Sequence, residues 1–220
     1  MRKLIYCFII CLYSSFSIGQ SKSSSYESLL QLLNKVRQLE RTNLPGGVPD
    51  YRSQTIVKIQ ATLHEYKTRH AGMDTTGWPL EQKVDYTLLL AEMNALDFNC
   101  RILKPWVRDP SFYAVLFAEQ SDVPAHEGPT SMAAIDLWNY NYPLSDDDAK
   151  KLTAQLNVIP SLFEQAKINL TGNARDLWSA GIEDMKVQVT LLDSLAVKTA
   201  ARSKPLQDAI AEAKKAAVKF

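Results

Sequence analysis

The sequence is poor in glycine, with 8 in 220 residues, and poorer still in cysteine, with 3. So little glycine excludes a collagen-like or low-complexity chain, and so little cysteine excludes a small domain held by disulfides. There is no excess charge of one sign: 25 Lys and Arg stand against 24 Asp and Glu, a formal net charge of +1. Without a basic block, the electrostatic footprint of a nucleic-acid binder is missing. No alternating run long enough for a useful strand occurs, and no apolar run reaches the roughly 20 residues of a membrane span. What is present, at 46% hydrophobic and 22% charged residues, is the composition of one or two globular units.

Residues 1–19 stand apart. Arg2 and Lys3 form a positive tip, Leu4–Tyr13 is apolar and contains Cys7 and Cys11, and Ser17 and Gly19 supply the small residues of a cleavage site. This pattern predicts a signal peptide over 1–19. The chain from residue 20 is then expected to be exported, periplasmic or extracellular, and to keep no stable membrane anchor after cleavage. A lipid anchor is disfavoured because Ile10, not a small residue, precedes Cys11. Loss of Arg2 and Lys3 leaves 23 bases against 24 acids, a formal charge of −1, with Cys100 the remaining cysteine. A lone thiol makes no internal disulfide, and Cys100 falls on an apolar helical face, so it reads as a small core residue.

Past the leader, glycine sits almost entirely at punctuation (Gly46, Gly47, Gly72, Gly77, Gly128, Gly172), and the stretches between carry helical periodicity. Leu29, Leu32, Val36 and Leu39 make one stripe, and Ile56, Ile59, Leu63 and Tyr66 a second. The next helix carries two apolar faces. Leu80, Val84, Leu88, Ala91, Ala95, Phe98 and Ile102 occupy one; Leu89, Met93, Leu96, Cys100 and Leu103 occupy the other. Between them runs a narrow polar stripe of Glu81, Asp85, Glu92 and Asn99, expected to be flanked by packed neighbours on both sides and to reach solvent or pair with Arg101 or Arg108. Asp97 and Arg101 form an i, i+4 surface pair.

After Pro105 the chain turns irregular and aromatic, with a short helix expected over 131–140. Ser145 followed by Asp146, Asp147 and Asp148 reads as a capped helix start. The stripe Ala149, Leu152, Leu156, Ile159, Phe163, Ala166 and Leu170 passes in phase through Pro160, which predicts one kinked helix. Trp178, Ile182, Met185, Val189, Leu192 and Ala196 form a return stripe, and Leu206, Ile210, Ala213, Ala217 and Phe220 a last one. The fold class is therefore all-α, with long antiparallel helices in a bundle-like array. Phe220 lies on the apolar stripe with no cap after it, so the chain is expected to be an incomplete, truncated part of a larger helical domain.

Chemistry is sparse. His126-Glu127 would need a second histidine at the position held by Thr130, and Gly128-Pro129 opposes a regular helix there. His64 and His70 are six residues apart, about 240° around a helix, and read as surface histidines. Trp138, Tyr140 and Tyr142 could stack on a sugar or peptide, or pack a helix end. No nucleophile elbow, phosphate-cradling loop or dinucleotide fingerprint occurs. No catalytic, cofactor-binding or metal-ligating residue is assigned.

Three segments carry a resemblance: Asp85–Phe98 (DYTLLLAEMNALDF), Leu103–Tyr113 (LKPWVRDPSFY) and Asp122–Thr130 (DVPAHEGPT). Together they resemble the N-terminal part of the bacterial "domain of unknown function 885" family, most specifically over residues 84–144. The resemblance implies an exported, all-α chain, part of a longer protein that is zinc-metallopeptidase-like through a downstream His-Glu motif followed by Pro-Gly-His. No Pro-Gly-His occurs in these 220 residues, so the zinc expected in full-length relatives has no ligands to be carried over. In that reading Asp85, Glu92, Trp106 and Arg108 are scaffold groups around a cleft. Two functions follow: a metallopeptidase-like segment that lacks the zinc site and is not an enzyme alone, or a self-sufficient module holding a peptide or helical partner between its long helices. Faces built for missing helices would also favour self-association.

Overall fold

The computed structural model describes residues 25–41, 43–120 and 131–220. The predicted signal peptide, His126-Glu127 and the Asp122–Thr130 segment lie outside the described residues. The fold is all-α. In chain order the helices are α1 (Tyr26–Glu40), α2 (Ser53–Ala71), α3 (Leu80–Phe98), α4 (Pro105–Arg108), α5 (Asp146–Leu156), α6 (Ile159–Asn169), α7 (Arg175–Lys198) and α8 (Lys204–Lys219). Two two-residue strands, β1 (Leu116–Phe117) and β2 (Ile135–Asp136), pair in parallel with Leu116 opposite Ile135. Among the described residues no helix is long and apolar enough to cross a membrane.

Two apolar cores organise the chain. In the first, Leu29, Leu32 and Val36 of α1 meet Leu63 of α2, Leu89 and Met93 of α3, and Trp78. Each of the three helices packs on the other two. The second core gathers Ile56 and Ile59 from the start of α2, Cys100, Trp106, Tyr113, the strand pair and the buried faces of α5–α8. Here α8 packs against α5, α6 and α7, burying Leu206, Ile210, Ala213 and Ala217 as their spacing predicts. Each fully buried leucine or isoleucine contributes about 1.5–3 kcal/mol relative to exposure. The Ser145 cap forms as expected: its Oγ accepts from the Asp148 N–H at 3.0 Å and donates to the Asp148 carboxylate at 2.7 Å.

Several expectations need correction. Of the two apolar faces of α3, only that of Leu89, Met93 and Cys100 is buried; Leu80, Val84, Leu88, Phe98 and Ile102 are open to solvent. The acidic stripe therefore has packing on one side. Glu92 pairs with Arg37 of α1 at 3.4 Å, not with Arg101 or Arg108, and Asp85 accepts the Tyr26 hydroxyl. That carboxylate raises the pKa of the Tyr26 phenol, since an anionic phenolate beside it would be repelled and would lose the hydrogen bond. Past Phe98 the regular helix gives way to a π turn over Asn99–Leu103, and Lys104 takes a left-handed conformation (φ 46°) that swings the chain into α4.

Residues 131–140 form β2 and a 3-10 turn over Leu137–Asn139, not a helix. Around Pro160 the chain makes two helices, with a turn at Asn157 and Val158 between them. Both linking residues keep right-handed helical dihedrals, so the stripe stays in phase and buried. His70 is buried, not on the surface: its ring stacks on Tyr86 and its Nε2 donates to the Tyr86 carbonyl at 2.9 Å.

Candidate functional site

A groove lies between α6, α7 and α8, and its walls can be traced residue by residue. The link from α6 to α7 is tied down where the Thr171 and Gly172 N–H groups both donate to the Val107 carbonyl, at 3.2 and 2.9 Å. A Cβ on Gly172 would stand 2.9 Å from Arg108 Cγ and 3.0 Å from the Val107 oxygen, so glycine permits this approach. Trp178 then donates from its indole N–H to the Gly172 carbonyl at 3.1 Å, which fixes the ring at the groove mouth. One turn later Gly181 lets α7 settle on Pro110, where a Cβ would come within 2.6 Å of the proline Cβ.

So placed, α7 presents Trp178, Ile182, Met185 and Val189 to a hollow of about 560 Å³. Lys167 of α6 and Leu170 just past its end line it on one side, Ala217 and Val218 from α8, with Phe220 and Pro110 completing the wall. Phe220 is braced by stacking on Phe163 at 4.8 Å and by an edge contact with Tyr113 at 6.1 Å. The return stripe predicted for α7 is thus only half buried: Trp178 is 39% and Ile182 55% exposed. A hollow of this size lies within the range of ligand sites, and its lining is apolar except for Lys167 and Lys186.

A largely buried polar web ties α6 to the Pro49–Tyr51 segment and to Tyr113. The Gln165 side chain accepts from the Tyr51 N–H and donates to the Pro49 carbonyl at 2.9 Å, while Asn169 donates to the Tyr51 carbonyl at 3.1 Å and to the Tyr113 hydroxyl at 3.2 Å. Tyr113 in turn donates to the Trp106 carbonyl at 2.9 Å. Burial raises the pKa of the Tyr113 phenol, which stays neutral and serves as a structural donor. On α7, Gln188 accepts from the Val115 and Leu116 N–H groups at 3.0 and 2.7 Å and donates to the Leu116 carbonyl at 3.0 Å, holding β1 to the helix.

A second hollow of about 890 Å³ lies between the start of α2, α4 and the end of α6, lined in part by Arg52, Cys100, Trp106 and Asn169. Its chemistry is muted. Burial, with smaller contributions from Asp97 and Glu40, pushes the Cys100 thiol up to about 11, so thiolate is scarce at neutral pH. At the edge, Asp50 is held down to about 2, chiefly by the Arg52 guanidinium at 2.8 and 2.9 Å, with Thr55 donating at 2.7 Å.

The residues singled out as scaffold groups take partners on separate elements. Asp85 and Glu92 face α1, Trp106 stacks on Tyr51 with centroids 6.1 Å apart, and Arg108 lies under Gly172. Among the described residues no three His, Cys, Asp or Glu side chains gather closely enough to hold a metal ion. Of the described histidines, His70 spends Nε2 on a backbone carbonyl, and His64 is exposed. The aromatic run also disperses, with Tyr140 bonded to Gln155 under Lys151 and Tyr142 beneath Lys198. No protein-family model, curated protein or solved structure matches the chain.

Sequence reasoning missed Gly181, Lys167, Lys186 and Gln188. One signal was available: a glycine in a helix interior costs about 1 kcal/mol against alanine, so Gly181 marks a close approach.

Proposed function

We propose that this chain is an exported, non-catalytic helical segment whose role is docking: it seats a further helix in the groove between α6, α7 and α8. The observation that carries this reading is the in-phase stripe of Trp178, Ile182, Met185 and Val189 along the groove, whose first two members, Trp178 and Ile182, are exposed on a braced wall. Helices pack by setting such ridges into a facing groove. The resemblance to the domain of unknown function 885 family supplies one identity for the docked helix, the remainder of a longer domain that carries the zinc site. A second reading, a self-sufficient module holding a helix of another protein, is favoured by how fully the walls are braced by the chain's own contacts at Gly172, Trp178 and Phe220.

Two measurements test the two halves. After incubation with zinc and desalting, the mature chain retains no stoichiometric metal by elemental analysis; tight one-to-one zinc with peptide hydrolysis overturns the non-catalytic half. In a variant keeping Trp178 as its sole tryptophan, emission shifts to the blue when a leucine-faced helical peptide is added. Unchanged emission at a large peptide excess overturns the docking half.

A further inference from the structure

We infer that the hollow between the start of α2, α4 and the end of α6 is a binding site for an organic carboxylate with an apolar body, separate from the docking groove. What points to a ligand is Trp106. Its side chain is buried (7% exposed), yet its indole N–H has no acceptor among the described residues. The N–H is not sealed in the core either: among the described residues, the enclosed side-chain nitrogen or oxygen that lacks a partner is Asp136 Oδ1. It therefore opens on the hollows that the ring lines. A buried indole N–H ordinarily finds an acceptor, and here the acceptor has to come from outside the chain.

The walls of the large hollow say which acceptor. Lys104 lines it and has no ion-pair partner among the described residues. This lysine holds a left-handed backbone (φ 46°), where a helix end ordinarily carries glycine, so its charge is kept there at a conformational cost. Ser53 and Gln54, in the first turn of α2, line the same hollow, and their backbone N–H groups also lack acceptors among the described residues. Arg52 adds no free charge, because its guanidinium is committed to Asp50, whose two oxygens are taken by Arg52 and Thr55. Among the described residues no carboxylate lines this hollow. An anion entering it thus meets open donors and one unpaired ammonium. The Trp106 ring also borders a smaller hollow of about 200 Å³, but Glu40 and Asp50 line that one and repel an anion. Beside the donors, the exposed Val57 and Ile168 line the large hollow, which gives the occupant an apolar body as well as an anionic end.

A free organic acid and the C-terminal residue of a peptide share this chemistry, and the test separates them. N-acetyl-leucine is titrated into the isotope-labelled chain while the indole N–H resonances are followed by NMR, with that of Trp106 assigned sequentially; neutral N-acetyl-leucinamide is the control. The acid shifts the Trp106 resonance saturably and binds at least about tenfold more tightly than the amide. In Lys104→Gly, which suits the left-handed backbone and keeps the fold, the acid loses about tenfold in affinity while the amide is unaffected. A leucine-terminated peptide with a free carboxylate that binds more tightly than N-acetyl-leucine identifies a peptide end as the source, and one that is excluded identifies a small acid. Equal binding of acid and amide, a Trp106 resonance unmoved at a large excess of acid, or parental affinity in Lys104→Gly overturns the inference.

Discussion

Replacing Gly181 by alanine sets two effects against each other, and the geometry decides which wins. Alanine in a helix interior is favoured over glycine by about 1 kcal/mol. The new Cβ, however, would sit 2.6 Å from Pro110 Cβ, 3.1 Å from its Cγ and 3.2 Å from the Ser111 nitrogen. Carbon atoms rest about 3.5–4.0 Å apart, so α7 must retreat by about 1 Å from a rigid, buried ring. Overpacking costs about 1–3 kcal/mol, and so short a contact against a buried ring falls in the upper half of that range, about 2–3 kcal/mol, which leaves a net loss of about 1–2 kcal/mol after the propensity gain. In urea unfolding, with a slope near 2 kcal/mol per molar, the midpoint of Gly181→Ala falls by about 0.5–1 M at unchanged slope. The control is Gly72→Ala, whose Cβ meets only Thr68 and Arg69 carbonyls at 3.6 and 3.7 Å, and it stays within about 0.5 kcal/mol of the parent. A Gly181→Ala chain as stable as the parent would refute the close approach of α7 to Pro110, and with it the groove wall.

Three further outcomes follow from the polar contacts. Because Asp50 has a folded-state pKa of about 2, below its ordinary 3.8, the stability it confers is full above about pH 4 and lost as pH falls through 2. Thermal melts of Asp50→Asn and the parent should therefore differ by a constant amount above pH 4 and converge towards pH 2; a gap that persists in acid refutes the assignment. Gln188→Leu strands two buried N–H groups and one carbonyl at β1, for a loss of about 2–4 kcal/mol with faster amide exchange at Leu116. Parental exchange there would show that β1 is held by other means. With its thiol near 11, Cys100 should resist a disulfide reagent at pH 8 until the chain is unfolded; prompt reaction of the native chain would contradict its burial.

The helices were legible because burial imposes a period, and Leu29, Leu32 and Val36 or Leu206, Ile210 and Ala213 have one plausible inward face each. Periodicity says nothing, though, about which of two equal faces finds a neighbour. On α3 both stripes were visible, yet the partners that settle the choice, Leu32 and Leu63, come from other helices. The same limit hid the opening of Trp178 and Ile182, whose stripe continues into the buried Met185 and Leu192 without a change of pattern. Polar partners were legible only where they were local. The Ser145 cap and the Asp97–Arg101 pair lie within four residues, while Glu92 with Arg37 and Gln188 with Leu116 join residues more than fifty apart. His70 was misplaced for a related reason: the ring that shelters it, Tyr86, belongs to the next helix.

Helix α2 contributes Ile56 and Ile59 to one core and Leu63 to the other, so it works as a shaft common to both. A helix does not melt by halves at small cost, since its hydrogen-bonded turns form and dissolve cooperatively. Damage on one side is therefore transmitted to the other: a cavity carved at Leu63 slackens the rod on which Ile56 and Ile59 are mounted, and with it the seating of the chain around Trp106.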